Sequence, residues 1–288
     1  MKISTLYQSQ NPVISFEIFP PKSTSPVETI YETLEGLIKL EPGFISVTYG
    51  AGGSSRDRTK EIAATIKNRY KIEALAHLTC VGQAVNEIDQ ILNELQEENI
   101  ENVLALRGDP PADAQNYDFS DSDFKYASDL VRHIKNSSNV CVAAAAYPEG
   151  HAHCRRLSDD LNWLKYKVDQ GVDFLISQLF FDNRIFYNFL ENALRVNIHC
   201  PVVAGILPVL NAKQIKRIIS LCGASMPAKL LMLVDKYGDN AEDMEKAGIE
   251  YASQQVRDLL ESGVDGIHLY TMNKPQQVTE ILKNVGKA

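Results

Sequence analysis

The sequence is poor in features that would tie it to a covalent, metal or membrane scaffold. Its five cysteines, Cys80, Cys141, Cys154, Cys200 and Cys222, are odd in number, widely separated and contain no CxxC pair. That pattern belongs to reduced thiols and argues against a disulfide framework or a structural zinc site. No apolar run approaches the roughly 20 residues a bilayer span needs, and the N-terminal MKISTLYQSQNP carries no apolar targeting region. A cytoplasmic location without membrane association is therefore expected. Basic blocks are missing too: the formal net charge of −8 argues against nucleic acid or an anionic membrane as partner. There is no Walker lysine, no GxSxG and no HExxH, so nothing supports P-loop, α/β-hydrolase or zincin chemistry. No linker, low-complexity tract or shift of composition divides the 288 residues.

What is present is one unit repeated. With 44% hydrophobic and 23% charged residues the chain has material for a large core. Strand patterns begin near residues 13, 44, 73, 101, 140, 173, 202 and 265, and amphipathic helical stretches separate them. The helices are expected after a capping box at Ser25–Glu28, then over Thr59–Asn68, Ala84–Glu98, Tyr126–Asn136, Ser158–Gln170, Asn183–Val196, Asn211–Cys222, Glu245–Glu261 and Pro275–Val285. Two connections are long: an acidic loop from Asp109 to Asp123, and an extra segment from Ala224 to Asp243. Strands such as Val140–Ala146 are apolar on both faces, as parallel barrel strands must be. Eight strand–helix units predict a single (β/α)8 TIM barrel spanning residues 1–288.

In such barrels chemistry collects at the C-terminal ends of the strands. The polar residues there are Glu17; Thr48 and Tyr49; His77 and Thr79; Arg107 and Asp109; Tyr147, Glu149 and His151; Gln178 and Asp182; Asn211; and Tyr270, Asn273 and Lys274. Any one has an ordinary structural reading, such as capping a helix. Eight coincidences on one rim are harder to read that way. Glu17 stands out, a carboxylate in the apolar strand Val13–Phe19. Burial raises a carboxyl pKa, and an acid holding its proton near neutrality suits general acid catalysis. Pairing with a buried arginine is the alternative reading.

His77 is open to reading as a core histidine, and Arg107-Gly108-Asp109 as a tight turn. His151-Ala152-His153-Cys154 looks like a metal cluster but has no convergent partner set, which favours a structural or surface role. Gly50-Ala51-Gly52-Gly53-Ser54-Ser55 lacks the third glycine and the acidic strand end of a dinucleotide fingerprint and reads as a rim loop.

Taken together, ISFEIFPP at 14–21, FISVTYGAGG at 44–53, RDRT at 56–59, AHLTC at 76–80, LALRGDPP at 104–111, YASDLV at 126–131, AAYPEGH at 145–151, KVDQGVDFLISQLFFD at 167–182, AGILPV at 204–209 and LYTMNK at 269–274 resemble methylenetetrahydrofolate reductases. The matches cover nearly the whole chain in the family's order. They span the catalytic barrel and none of the regulatory domain of animal enzymes.

The resemblance implies a flavoenzyme of one-carbon metabolism that supplies methyl groups for methionine synthesis. FAD lies on the barrel's C-terminal face. A nicotinamide nucleotide reduces it and leaves, and 5,10-methylenetetrahydrofolate then takes its place and becomes 5-methyltetrahydrofolate. Glu17 resembles the acid that protonates the folate's anilino nitrogen, and Asp109 the carboxylate that holds the pterin and tunes the flavin. Gln178, Tyr270 and Lys274 resemble further substrate contacts. Thr48, Tyr49, Ala51, His77, Arg107, Gly108, Asp109, Ala127, Tyr147, His151, Asp160 and Lys167 match positions lining the FAD site. NADH is the expected reductant over NADPH, and a homo-oligomer is expected. Departures from the family's usual residues fall at Trp163, Tyr166, Ala212 and Lys274. A proline-dehydrogenase-like flavin barrel and a non-catalytic flavin- or folate-binding subunit are the competing readings.

Overall fold

A computed structural model describes residues 1–21, 24–49, 54–109 and 122–288. Its strands are β1 (Val13–Ile18), β2 (Phe44–Val47), β3 (Glu73–Thr79), β4 (Asn102–Leu106), β5 (Cys141–Ala146), β6 (Phe174–Ser177), β7 (Val202–Ile206) and β8 (Gly266–Tyr270). All pair in parallel with their sequence neighbours, and β1 with β8, to close a barrel in the order β1 to β8. Each begins within a residue of its expected start. The helices are α1 (Thr29–Leu37), α2 (Ser54–Ala64), α3 (Val85–Glu97), α4 (Ala127–Ser137), α5 (Leu157–Asp169), α6 (Asn183–Arg195), α7 (Ala212–Cys222), α8 (Ala228–Tyr237), α9 (Ala241–Glu261) and α10 (Pro275–Asn284).

Four helical expectations need correction. α2 begins at Ser54 rather than Thr59, so Ser54 and Ser55 of the expected rim loop are helical, and it gives way to a π turn over Thr65–Arg69. The Ser25–Glu28 box does not start α1, which begins at Thr29 after a turn of i→i+3 backbone bonds from Thr29, Ile30 and Tyr31. The segment after Ala224 carries a helix of its own, α8. Leu230 and Val234 are buried there, but Leu231 and Met232 are exposed, so its apolar residues trace no single helical stripe. Finally, α9 begins at Ala241 rather than Glu245, with Asn240 accepting from the Glu242 and Asp243 amides.

Strand alternation sorts the side chains into two shells. Outward residues such as Phe16, Ile18, Val47 and Ala76 join the buried faces of the helices, among them Ile30, Leu34, Ile88 and Leu130. Inward residues Val13, Phe44, Leu75, Leu104, Cys141, Phe174 and Val203 fill the lower lumen, which Ile3 from the 3₁₀ turn Ile3–Gln8 plugs from below. A third cluster joins α7, α8 and α9 to the β6 and β7 ends through Leu179, Phe181, Leu207, Val209, Ile215, Leu230, Val234 and Met244. There α9 sits so close that a Cβ on Gly248 would lie 1.8 Å from the Val209 carbonyl oxygen. Among the described residues no helix is long and apolar enough to cross a membrane.

Candidate active site

The upper lumen of the barrel is polar on one side. β1 alternates inward Val13, Ser15 and Glu17, and the register sets Ser15 beside His268 of β8, and Glu17 beside Ser46 of β2 and Tyr270 of β8. Glu17 Oε2 lies 3.4 Å from His77 Nε2 and 3.8 Å from His268 Nε2, and its side chain keeps 20% of its surface exposed. His268 is fully buried. Its Nδ1 is 2.8 Å from Ser15 Oγ and its Nε2 3.3 Å from Ser46 Oγ. The arginine partner considered for Glu17 is replaced here by two imidazoles.

This surrounding corrects the expected proton affinity. Burial pushes the Glu17 carboxyl up, but the facing His268 and His77 imidazoles and the Ser46 hydroxyl outweigh it and hold the group below its ordinary value. Burial pushes His77 down to about 4 against the pull of Glu17, so this ring is neutral at neutral pH. Among the described residues its Nε2 finds no aligned hydrogen-bond partner, although Glu17 is near. A buried polar atom without a partner at the C-terminal end of a barrel lumen is a place where a ligand would bind. Tyr270 crosses the lumen above His268: its hydroxyl donates to Ser177 O at 2.8 Å, and its ring packs where a Cβ on Gly205 would come within 2.9 Å.

A second group forms on the β4–β5 side. Gly108 has φ +84°, and a Cβ there would meet Val81 Cγ1 at 2.7 Å, so the strand end turns toward the mouth only with glycine. Asp109 follows it, exposed. Burial raises the Tyr147 hydroxyl, and the Asp160 and Asp109 carboxylates add to the rise. The Tyr147 ring packs edge-on against His151 at 4.8 Å. Lys167, on the inner face of α5, donates to Ala145 O at 2.7 Å. Burial drives its amine down to about 8, with Asp160 opposing. The two groups share one mouth, since both Glu17 and Tyr147 act on the Tyr270 hydroxyl.

With this geometry in place, similarity to known proteins decides the family. The sequence model of the methylenetetrahydrofolate reductase family matches residues 2–286. The chain belongs to the methylenetetrahydrofolate reductase family. Among curated members it is 36% identical to methylenetetrahydrofolate reductase (NADH) 1 of Arabidopsis thaliana, over 99% of this chain and 50% of that protein. It is 35% identical to 5,10-methylenetetrahydrofolate reductase of Escherichia coli (strain K12), over 95% of this chain and 90% of that protein. The chain thus spans about half the length of its plant relatives and most of the bacterial one. A Clostridium thermocellum protein, described as binding two copies of 5-methyl-5,6,7,8-tetrahydrofolic acid, superposes with TM-score 0.66 at 13% identity over 99% of this chain and 98% of that one, a likeness of fold alone.

Family membership and geometry sort the expected residues. Glu17, His77 and Tyr270 meet at the lumen's upper end, and Arg107, Gly108, Asp109, Tyr147, His151, Asp160 and Lys167 line the β4–β5 side. Thr48 ends β2, with its carbonyl accepting from Thr59 Oγ1 at 2.9 Å, and Tyr49 follows it at the rim. Ala127 is the first residue of α4. Gln178 Oε1 accepts the Leu179 amide, and Lys274 sits at the N-terminal cap of α10. Ala51 falls outside the described residues, as does most of the acidic loop after Asp109.

Other rim residues are structural. Asp182 and Asn211 cap α6 and α7, Asn273 bridges the Phe19 backbone, and Glu149 accepts the Ser225 amide. Of the departures, Trp163 and Tyr166 are exposed and meet edge-on at 6.2 Å, while Ala212 packs among α7, α8 and α9. His151 and His153 form no metal cluster among the described residues; the His153 amide donates to His151 Nδ1.

His268, Ser15 and Ser46 are what the sequence reading missed. A signal existed: Ser15 shares the inward face with Glu17, and His268 interrupts the apolar pair Ile267 and Leu269 in mid-strand. A histidine in mid-strand lies outside the strand ends where chemistry in a barrel usually collects.

Proposed function

We propose that this chain is a flavin-dependent reductase that converts 5,10-methylenetetrahydrofolate to 5-methyltetrahydrofolate, with NADH as reductant in a separate preceding half-reaction. The observation that carries the reading is the Glu17–His77–His268 cluster at the base of the mouth, in a chain of this family. The relatives named for NADH support that reductant over NADPH.

The residues present fit FAD. The orphaned His77 Nε2 is a donor or acceptor for a polar ring edge. Lys167 is a desolvated cation that a phosphate would satisfy. Gly108 lets the backbone approach a flat ligand. Arg107, Tyr147, His151 and Asp160, with Thr48, Tyr49 and Ala127 at the rim, would complete the cofactor site. FAD, when bound, supplies the hydride.

The chain's own groups do the rest. Asp109, exposed at the end of β4, holds the pterin and offers negative charge to a developing cation. Gln178, Tyr270 and Lys274 orient the folate, with Lys274 toward an anionic tail. Glu17 delivers a proton to the anilino nitrogen and so opens the five-membered ring. Its carboxyl lies low in the open mouth, but a ligand covering its remaining 20% exposure removes water and raises its hold on a proton.

The test is anaerobic stopped-flow on Glu17→Gln. Flavin reduction by NADH should persist while folate reduction is abolished; equal losses in both half-reactions would make Glu17 structural. Purified protein that neither contains nor takes up flavin would end the flavoenzyme reading. Light scattering on the same sample tests the proposed homo-oligomer.

A further inference from the structure

The low-lying Glu17 carboxyl poses a problem that the geometry around His268 answers. His268 cannot turn: Phe44 stacks on its ring at 5.7 Å and 19°, and Tyr270 meets it edge-on at 5.5 Å and 84°. Ser15 Oγ donates to Ile267 O at 3.2 Å and lies 2.8 Å from Nδ1. A serine hydroxyl has a single proton, so with that proton on Ile267 O its lone pair accepts from Nδ1–H. In that tautomer Nδ1 donates, and the other ring edge, Nε2, faces Ser46 Oγ at 3.3 Å and Glu17 Oε2 at 3.8 Å.

The other titratable groups whose fields reach Glu17 are unsuited to carry the proton for the folate. His77, from β3, is held neutral by burial at about 4 and has no aligned partner. Tyr270, from β8, has its hydroxyl committed to Ser177 O.

We propose that the proton delivered to the folate is held jointly by Glu17 and His268, with His268 as the positioning residue that keeps it beside the Glu17 carboxylate. In one arrangement the proton sits on Nε2 facing a carboxylate; in the other it sits on Oε2 facing a Nε2 lone pair. The dyad's total charge is the same in both, which is how a partly desolvated site can store an acid proton. On delivery the Nε2–H bond breaks, Glu17 carries the proton as a transient O–H, and an N–H bond forms on the folate nitrogen. A neutral imidazole and a carboxylate remain. Reloading comes from solvent through the mouth, where Glu17 keeps its exposure. This inference rests on the acid role proposed for Glu17.

The test is the pH dependence of the folate half-reaction in His268→Gln holoenzyme. Glutamine retains hydrogen bonding but has no proton that it can release or take up. If the dyad stores the proton, the alkaline limb moves to lower pH and the rate near pH 7.5 falls at least about tenfold, the scale of a lost hydrogen bond to a charged group. The NADH half-reaction should stay within about twofold. If His268 only depresses Glu17, its removal moves the limb to higher pH, and that result overturns the proposal. So does an unmoved limb with both half-reactions slowed, the mark of a packing role. Ser15→Ala, which loosens Nδ1, should move the limb the same way by less, and serves if His268→Gln does not fold. A Glu17→Gln enzyme that still reduces folate would defeat the acid reading itself. Lost activity in Glu17→Gln together with an unmoved His268→Gln limb would defeat the dyad alone.

Discussion

Lys167→Met separates a residue kept for stability from one kept for a ligand. The Lys167 amine drops from 10.5 to about 8 because folding strips its water, and the bond to Ala145 O and the field of Asp160 do not compensate. At about 1.4 kcal/mol per unit this strain is roughly 3 kcal/mol. The side chain keeps partial solvent contact, and methionine forfeits the bond to Ala145 O, itself worth about 1 kcal/mol. A net gain of about 1–2 kcal/mol is expected for the ligand-free variant at pH 7. The sign follows from the folded value lying below the unfolded one. Between pH 8 and 10.5 the unfolded chain binds more protons than the folded one, so wild-type stability rises there and the gap to Lys167→Met closes.

Urea unfolding of flavin-free protein at pH 7 and pH 10 measures both effects. Saturating FAD should then reverse the order, since a phosphate beside the amine restores its charge and methionine has nothing to offer it. A ligand-free Lys167→Met no more stable than wild type at pH 7 would refute the strain. Unchanged FAD affinity would remove Lys167 from the cofactor site.

Other expectations follow from single contacts. His77, neutral down to about 4 when folded but ordinary when unfolded, should cost about 3 kcal/mol of stability as pH falls from 6.5 to 4; His77→Gln should flatten that part of the urea-midpoint profile. Gly248→Ala forces a methyl against the Val209 carbonyl and should cost about 3 kcal/mol, a fall in Tm of roughly 6–12 °C by calorimetry, unless α9 shifts without loss. Asp109→Asn should weaken folate binding and make the bound flavin easier to reduce; an unchanged potential in a spectroelectrochemical titration would count against its electrostatic role.

The barrel was legible because its pattern is local. Asn99 and Gly171, at positive φ, turn the chain just before β4 and β6, and continuous apolar runs such as Val140–Ala146 mark strands covered on both faces. Helix α8 escaped because Leu231 and Met232 on its outer side blur the stripe that Leu230 and Val234 begin. Glu17 was legible as a carboxylate in an apolar strand, but the sign of its shift was not. A sequence shows that a group is buried, and burial alone raises a carboxyl. The opposing pull comes from His268 at the far end of the chain and from His77, 60 residues along it, and no local pattern brings either to Glu17.

The sequence by itself determined the eight strand–helix units, the rim where polar residues gather and the family, since each rests on residues close together in the chain or on motifs read in order. Barrel closure decided the rest. By pairing β1 with β8, it sets Ser15 against His268 and Glu17 against Tyr270 across some 250 residues of chain. A proton's energy depends on the charges and dipoles within a few ångströms, and the fold alone chooses those neighbours.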